Sequence, residues 1–353
     1  MHTLAEKQTS PARQVGTLGV GSNHDVKSWT YMILLMLVVQ NMASIILQHS
    51  LQSQPSSKPD RYEPLSGIVV IEVAKFIISL LVIVQSETTA SIRSVAQGTV
   101  LNFSNDATAA ALLFTAATIL QSVGAHYLDL ISYLVLSQLK TIVTPLFARI
   151  ILHQRYPLRN WLFITMMVLG IVLAQLGAGS AKTSTQGFRT QAMARGAIAM
   201  ILAGICVALG SLCIERTLKK SGLLFHCNAQ LAAYSSSFAM LYFCWQTKFS
   251  FDHFFRGFDA LAWIYIGLQV SGGFIVAKCV QMTSTVTKNY AQGLGFALAV
   301  FTPPLVAGQH ISFQLLIGVG LILASVLGSS ASNQKNQRQK KNIIICHDII
   351  HPT

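Results

Sequence analysis

Charge is what this sequence has least of. Only 10% of its 353 residues are Asp, Glu, Lys or Arg, against about 25% in soluble domains. Acids are the scarcer sign, 12 against 25 bases. With 52% hydrophobic residues and a mean hydropathy of +0.53, a water-soluble globule is excluded, and the composition reads as an integral membrane protein. The six cysteines (Cys206, Cys213, Cys227, Cys244, Cys279 and Cys346) contain no CxxC pair. That argues against a zinc or disulfide framework and for packing roles in apolar runs. No HExxH, GxSxG or Walker-type GxxxxGK[ST] motif is present, so no enzyme, metal or cofactor is expected. The polar stretch up to Lys27 lacks the apolar core of a cleaved signal peptide, which leaves the first span to act as its own signal.

What is present is a series of apolar segments long enough to cross a bilayer, which needs about 20 residues each. Ten are expected, at roughly 30–48, 65–84, 107–127, 130–152, 159–177, 194–214, 227–246, 259–280, 288–307 and 312–330. The net charge of +13 sits mostly in the short segments between them, which argues for membrane orientation and against nucleic-acid binding. With both ends in the cytosol, the cytosolic segments hold 14 Lys and Arg and the opposite side seven, the bias that the positive-inside rule requires. The one sequon, at Asn102, then falls in a cytosolic loop and is expected to carry no glycan.

The segments suggest a duplication. Thr144–Pro145 in the fourth span pairs with Thr302–Pro304 in the ninth, and "LGIVLAQLG" (169–177) in the fifth pairs with "VGLILASVLG" (319–328) in the tenth. Five spans plus five give two inverted repeats. The expected organisation is an all-α polytopic fold: a cytosolic tail (1–28), a first five-helix repeat (29–178), a luminal loop (179–193), a second repeat (194–330) and a basic cytosolic tail (331–353).

Four lysines interrupt this apolar pattern. Lys140 stands near the middle of the fourth span, where a charge costs about 2.5–3.5 kcal/mol. Either an internal carboxylate neutralises it, with Glu72 and Asp129 as candidates, or it faces a cavity and awaits an anion. Tyr133 lies two helical turns earlier on the same face. Lys288 holds the matching place in the ninth span, beside Gly293 and Gly295, which would let a ligand approach the backbone. Lys75 has Glu72 one turn before it, so an ion pair competes with a ligand role. Lys278 reads as a span-edge cation. Asn228 and Gln230 either bind a ligand or pack helices by amide hydrogen bonds. Glu215, Arg216 and Lys219 read as a cytosolic helix terminus. The scattered histidines show no metal spacing.

These residues carry a resemblance. The chain resembles the Golgi nucleotide-sugar transporters of the branch that contains the CMP-sialic acid, UDP-galactose and UDP-N-acetylglucosamine carriers, within the drug/metabolite transporter superfamily. The strongest stretches are "IEVAKFIIS", "LDLISYLVLSQLKTIVTPLFARIIL", "RGAIAMILAGICVALGSLCIERTLKKSG" and "GGFIVAKCVQMTSTVTKNYAQG". They match the family's Gln-Leu-Lys (Gln138, Leu139, Lys140), its tyrosine seven before that lysine (Tyr133) and its Glu-x-x-Lys (Glu72, Lys75). They also match its Glu-Lys/Arg-x-Leu-Lys run (Glu215, Arg216, Leu218, Lys219), its seventh-span asparagine (Asn228) and its ninth-span lysine (Lys288). Ser137, Ser284–Thr285, Asn289–Tyr290 and Ala232 depart from the pattern.

The resemblance implies ten helices and a Golgi membrane location, with the endoplasmic reticulum as the alternative. It implies exchange of a cytosolic nucleotide sugar, UDP-galactose or UDP-N-acetylglucosamine, for a luminal nucleoside monophosphate. The implied substrate-binding set is Lys140, Lys288, Tyr133, Asn228, Lys75 and Gln138, with lysines on phosphate and aromatic and amide groups on the nucleoside. It leaves room for a homodimer or for association with a glycosyltransferase. Two other readings stay open: a carrier of an unphosphorylated metabolite, and a non-transporting membrane scaffold for glycosyltransferases.

Overall fold

The computed structural model describes residues 23–52, 64–86, 105–128, 133, 136–154, 156–179, 190–246, 254–306, 308 and 311–350. Among them are ten helices and no strand. They are α1 (Asn23–Gln52), α2 (Pro64–Ser86), α3 (Asn105–Tyr127), α4 (Leu139–Ile151), α5 (Leu158–Gly179), α6 (Thr190–Ser221), α7 (Leu224–Gln246), α8 (Ala260–Met282), α9 (Thr285–Val306) and α10 (Phe313–Ile350). Asn102, Asp129 and most of the loop 179–193 lie outside the described residues.

Helix is the only open-ended structure that satisfies its own backbone in hydrocarbon, and the sequence marks several ends. Asp259 caps α8 by accepting from Ala262 N at 2.8 Å. Gly222, with φ +66°, closes α6 through its N–H to the Leu218 carbonyl, a left-handed position that suits glycine.

Six helices carry stretches long and apolar enough to cross a membrane: Ser28–Gln48, Leu65–Ser86, Leu158–Gly177, Met193–Ser221, Ala260–Met282 and Phe313–Ser332. The chain is a multi-pass membrane protein. The other four helices, α3, α4, α7 and α9, are shorter or more polar. Polar side chains of α7 and α9, among them Asn228, Gln230, Ser235, Thr285, Lys288 and Asn289, are buried against other helices.

In the fourth span, expected at 130–152, the described residues Tyr133, Leu136 and Ser137 are helical, Gln138 forms a turn, and α4 runs 13 residues from Leu139. The turn is visible in its hydrogen bonds. Thr141 N bonds the Gln138 carbonyl in a tight three-residue step, and the Thr144 hydroxyl takes the Lys140 carbonyl at 2.6 Å. Pro145 sits inside the helix without an N–H to offer Thr141.

Helices approach closely where glycine permits. A Cβ on Gly318 of α10 would lie 2.4 Å from Ala174 N and 2.6 Å from the Gly170 carbonyl of α5. Arg159 reinforces this pair, its Nη2 donating to Ser332 Oγ at 2.7 Å, and Ser332 in turn donates to Asn160. Elsewhere α1 packs on α8 and α9, α2 on α7 and α8, α3 on α6 and α7, and α4 on α5, α6 and α9. A run of edge-to-face rings, Phe243, Phe254, Phe255, Phe258 and Trp263, joins α7 to the start of α8, as expected of an interfacial aromatic belt.

Candidate functional site

The turn at Gln138 places Lys140 in the first turn of α4. There α4 crosses α6 at Gly204, where a Cβ would stand 3.4 Å from Lys140 N. The Lys140 ammonium makes no hydrogen bond or ion pair among the described residues. One of its candidate neutralising carboxylates is engaged elsewhere: Glu72 Oε1 accepts from Lys75 Nζ at 2.6 Å. The other, Asp129, lies outside the described residues.

Lys288, 9% exposed, occupies the first turn of α9. Its ammonium reaches Ser211 Oγ of α6 at 3.4 Å, a weak contact for a full charge. It also senses the charges of Lys140 and Glu215. The helix pairings therefore bring two lysines, 148 positions apart in sequence, into one electrostatic neighbourhood where α4, α6 and α9 meet. Two ammonium groups that share a neighbourhood of low dielectric repel each other, and a bound anion relieves both.

One carboxylate organises the end of this neighbourhood. Glu215 is 1% exposed. Its Oε2 accepts Thr285 N, the first amide of α9, at 2.8 Å, where the helix dipole favours negative charge. Its Oε1 accepts from Gln154 Nε2 at 3.1 Å and from Lys219 Nζ. Tyr156 donates to Gln154. Burial, and next the nearby Glu215 carboxylate, push the Tyr156 hydroxyl well above its ordinary pKa, so it stays a proton donor. This latch ties α6, α9 and the α4–α5 linker together. The sequence pointed to an ordinary helix terminus at Glu215, which holds for exposed Arg216, 3.9 Å from Asp106, and not for Glu215 itself. A carboxylate four before Lys219, with a new helix starting at Thr285, is the signal for the latch, and only packing decodes it.

The remaining expected residues lie on α2, on α7 and in the segment before α4. Asn228 is buried on α7, with Nδ2 lacking a hydrogen-bond partner. Gln138 forms the turn before α4 and donates to Ser137 Oγ at 3.2 Å, and Tyr133 is partly buried just upstream. Lys75 is held by Glu72 and lies over Gly273 of α8, where a Cβ would come 2.8 Å from Lys75 Cδ. Glu72 also lines a small cleft between α2, α3 and α7 with Thr115, Thr118, Ser235 and Tyr242. Neither Lys140 nor Lys288 lines that cleft.

Gly293 and Gly295 do not open α9 to a ligand. Added Cβ atoms would meet Met167 Sδ at 2.9 Å and the Val38 carbonyl at 2.7 Å, so both glycines serve contacts with α5 and α1. Lys278 is a surface residue donating to Gln281.

Comparison with known proteins finds named transporters and a solved structure. The UDP-galactose transporter of Schizosaccharomyces pombe is 27% identical over 310 residues, 84% of this chain and 86% of that protein. A UDP-N-acetylglucosamine/UDP-N-acetylgalactosamine transporter of Caenorhabditis elegans is 27% identical, covering 82% of this chain and 90% of its own length. The UDP-N-acetylglucosamine transporter of Rattus norvegicus is 24% identical over 76% of this chain and 85% of its own length. A solved crystal structure shares the fold alone, with a TM-score of 0.63 at 13% identity over 87% of this chain and 98% of its own. Residues 25–329 match the family described as nucleotide-sugar transporter, and this chain belongs to that family.

Proposed function

We propose that this protein exchanges a cytosolic nucleotide sugar for a luminal nucleoside monophosphate across a Golgi membrane, with UDP-galactose or UDP-N-acetylglucosamine as cargo. The single observation that carries the reading is the convergence of Lys140 and Lys288 where α4, α6 and α9 meet. Lysine is a point-charge partner for phosphate, and phosphate is common to cargo and counter-substrate. An unphosphorylated cargo would leave both ammonium groups unneutralised. The curated relatives named for UDP-sugars support uridine nucleotides.

The helix pairings favour two five-helix repeats related by a pseudo-two-fold axis. Exchanging each helix for the one five places away turns the α1–α8 pairing into α6–α3, α1–α9 into α6–α4 and α2–α8 into α7–α3, and all six occur. The α2–α7, α5–α10 and α4–α9 pairs map onto themselves and also occur. Inverted repeats put the cargo site at their interface, with Lys140 on α4 and Lys288 on its counterpart α9. The basic bias keeps both termini cytosolic. In this scheme Glu215 latches the cytosolic ends of α6 and α9, and Tyr133, Gln138, Asn228 and Lys75 complete the cargo contacts.

Proteoliposomes preloaded with UMP, CMP or GMP test this. UMP inside should accelerate uptake of UDP-galactose or UDP-N-acetylglucosamine. Uptake that no internal nucleoside monophosphate stimulates would sink the exchange mechanism.

A further inference from the structure

Asn289 follows Lys288 on α9, is 8% exposed, and its side-chain nitrogen is buried without a hydrogen-bond partner. Native structures rarely leave such a donor unpaired, and those they keep call for an explanation. Helix packing narrows the direction it faces. Val286, Tyr290 and Ala297 pack on Ile164, Met167 and Ile171 of α5. Ala291 packs with Leu37 and Val38 of α1, which Gly295 also meets. Thr285 and Lys288 reach Ser211 and Glu215 of α6. At 100° per residue, Asn289 lies one turn beyond Thr285, between the rows facing α6 and α5. The helix that fits that sector is α4, which packs against all three of α5, α6 and α9 and carries Lys140.

We propose that Asn289 is a further ligand-binding residue: its side-chain amide donates a hydrogen bond to a phosphoryl oxygen of the nucleoside phosphate whose charge Lys140 and Lys288 balance. The inference rests on the anion-binding reading of those two lysines. The division of labour follows from the chemistry. An ammonium group on a flexible stem supplies charge with little direction, whereas a carboxamide supplies direction without charge. A third cation here would add repulsion to a pair already in electrostatic contact. A neutral donor saturates another phosphoryl oxygen and leaves the two positive charges to match a doubly charged nucleotide. Until the ligand arrives the amide nitrogen is unsatisfied, so binding restores a hydrogen bond that folding left out.

The test uses the purified full-length protein with UMP as probe, comparing wild type with Asn289→Leu, Asn289→Ala and Asn289→Asp. Leucine removes the orphaned donor at similar volume. The ligand-free melting temperature of Asn289→Leu should therefore equal or exceed that of wild type, while its affinity for UMP falls by about ten- to a hundredfold, the worth of one hydrogen bond to a charged acceptor. Asn289→Asp, which places negative charge beside the phosphate, should bind more weakly still. In exchange assays, KM should rise with Kd while the maximal rate holds.

Equal UMP affinity in wild type and Asn289→Leu would overturn the inference and leave the lysine site standing. If leucine instead lowers the ligand-free melting temperature, Asn289→Ala decides. Unchanged UMP affinity in the folded alanine variant would make Asn289 a packing residue, and weakened affinity would sustain the inference. Wild-type protein that binds no nucleoside monophosphate would overturn both readings together.

Discussion

The Glu215 carboxylate accepts the backbone N–H of Thr285 across 2.8 Å, so a side chain of α6 caps the start of α9. The same carboxylate takes Gln154 and Lys219. Glu215→Ala therefore strands the Thr285 amide and the Gln154 carboxamide, while the exposed Lys219 ammonium turns to solvent. Leaving a buried donor unsatisfied costs about 1–3 kcal/mol. Thermal unfolding should show a large drop for Glu215→Ala and a smaller one for Glu215→Gln, which keeps one acceptor. Equal drops would show that the charge contributes nothing.

Lys140 and Lys288 should behave in the opposite way. A lysine at bilayer depth costs about 2.5–3.5 kcal/mol, so Lys140→Met or Lys288→Met should leave the ligand-free protein as stable as wild type or more so. Nucleotide-sugar uptake should nevertheless fall by about thirtyfold or more, the range for truncating a buried charge partner. Full uptake by Lys140→Met would remove that residue from the site.

Glu72 and Lys75 form an isolated pair at 2.6 Å, and the second oxygen of Glu72 is buried without a hydrogen-bond partner. Lys75→Met leaves a carboxylate uncompensated in an apolar surrounding. The double change Glu72→Gln with Lys75→Met removes both charges and should be less damaging than Lys75→Met alone. A double-mutant cycle read by melting temperature checks this.

The α5–α10 seam offers a contrast within one helix. Gly318→Ala would press a methyl group onto the Ala174 and Gly170 backbone, whereas a Cβ at Gly320 meets nothing within 4 Å. Overpacking costs about 1–3 kcal/mol. Gly318→Ala should lower the melting temperature of the protein, and Gly320→Ala should leave it unchanged.

Orientation is tested at Asn102. With both termini cytosolic, its sequon faces the cytosol and stays unmodified, so glycosidase treatment should not change the protein's mobility. A glycan on Asn102 would invert the topology.

Much of this was legible from residue chemistry. The ten apolar segments correspond to the ten helices, and the two span lysines stand out because the surrounding apolar residues offer them no solvent. Hydropathy counts Leu130 to Leu152 as one segment and does not show the local irregularities within it, the Gln138 turn, the Thr144 back-bond and Pro145. Gly293 and Gly295 were misjudged in role, because sequence gives the absence of a side chain and not what fills the space.

Composition and spacing by themselves determined a helical membrane protein, its family motifs and the lysines that need a partner. Those follow from the cost of exposing backbone and charge to hydrocarbon, which every residue carries with it wherever it is placed. Only the tertiary structure decided which groups meet. It gave Glu72 to Lys75, turned Glu215 from a helix terminus into the cap of another helix, brought Lys288 within reach of Ser211, and left the Asn289 nitrogen without a partner. Pairing depends on which helix faces cross, and packing geometry fixes that for the whole bundle at once.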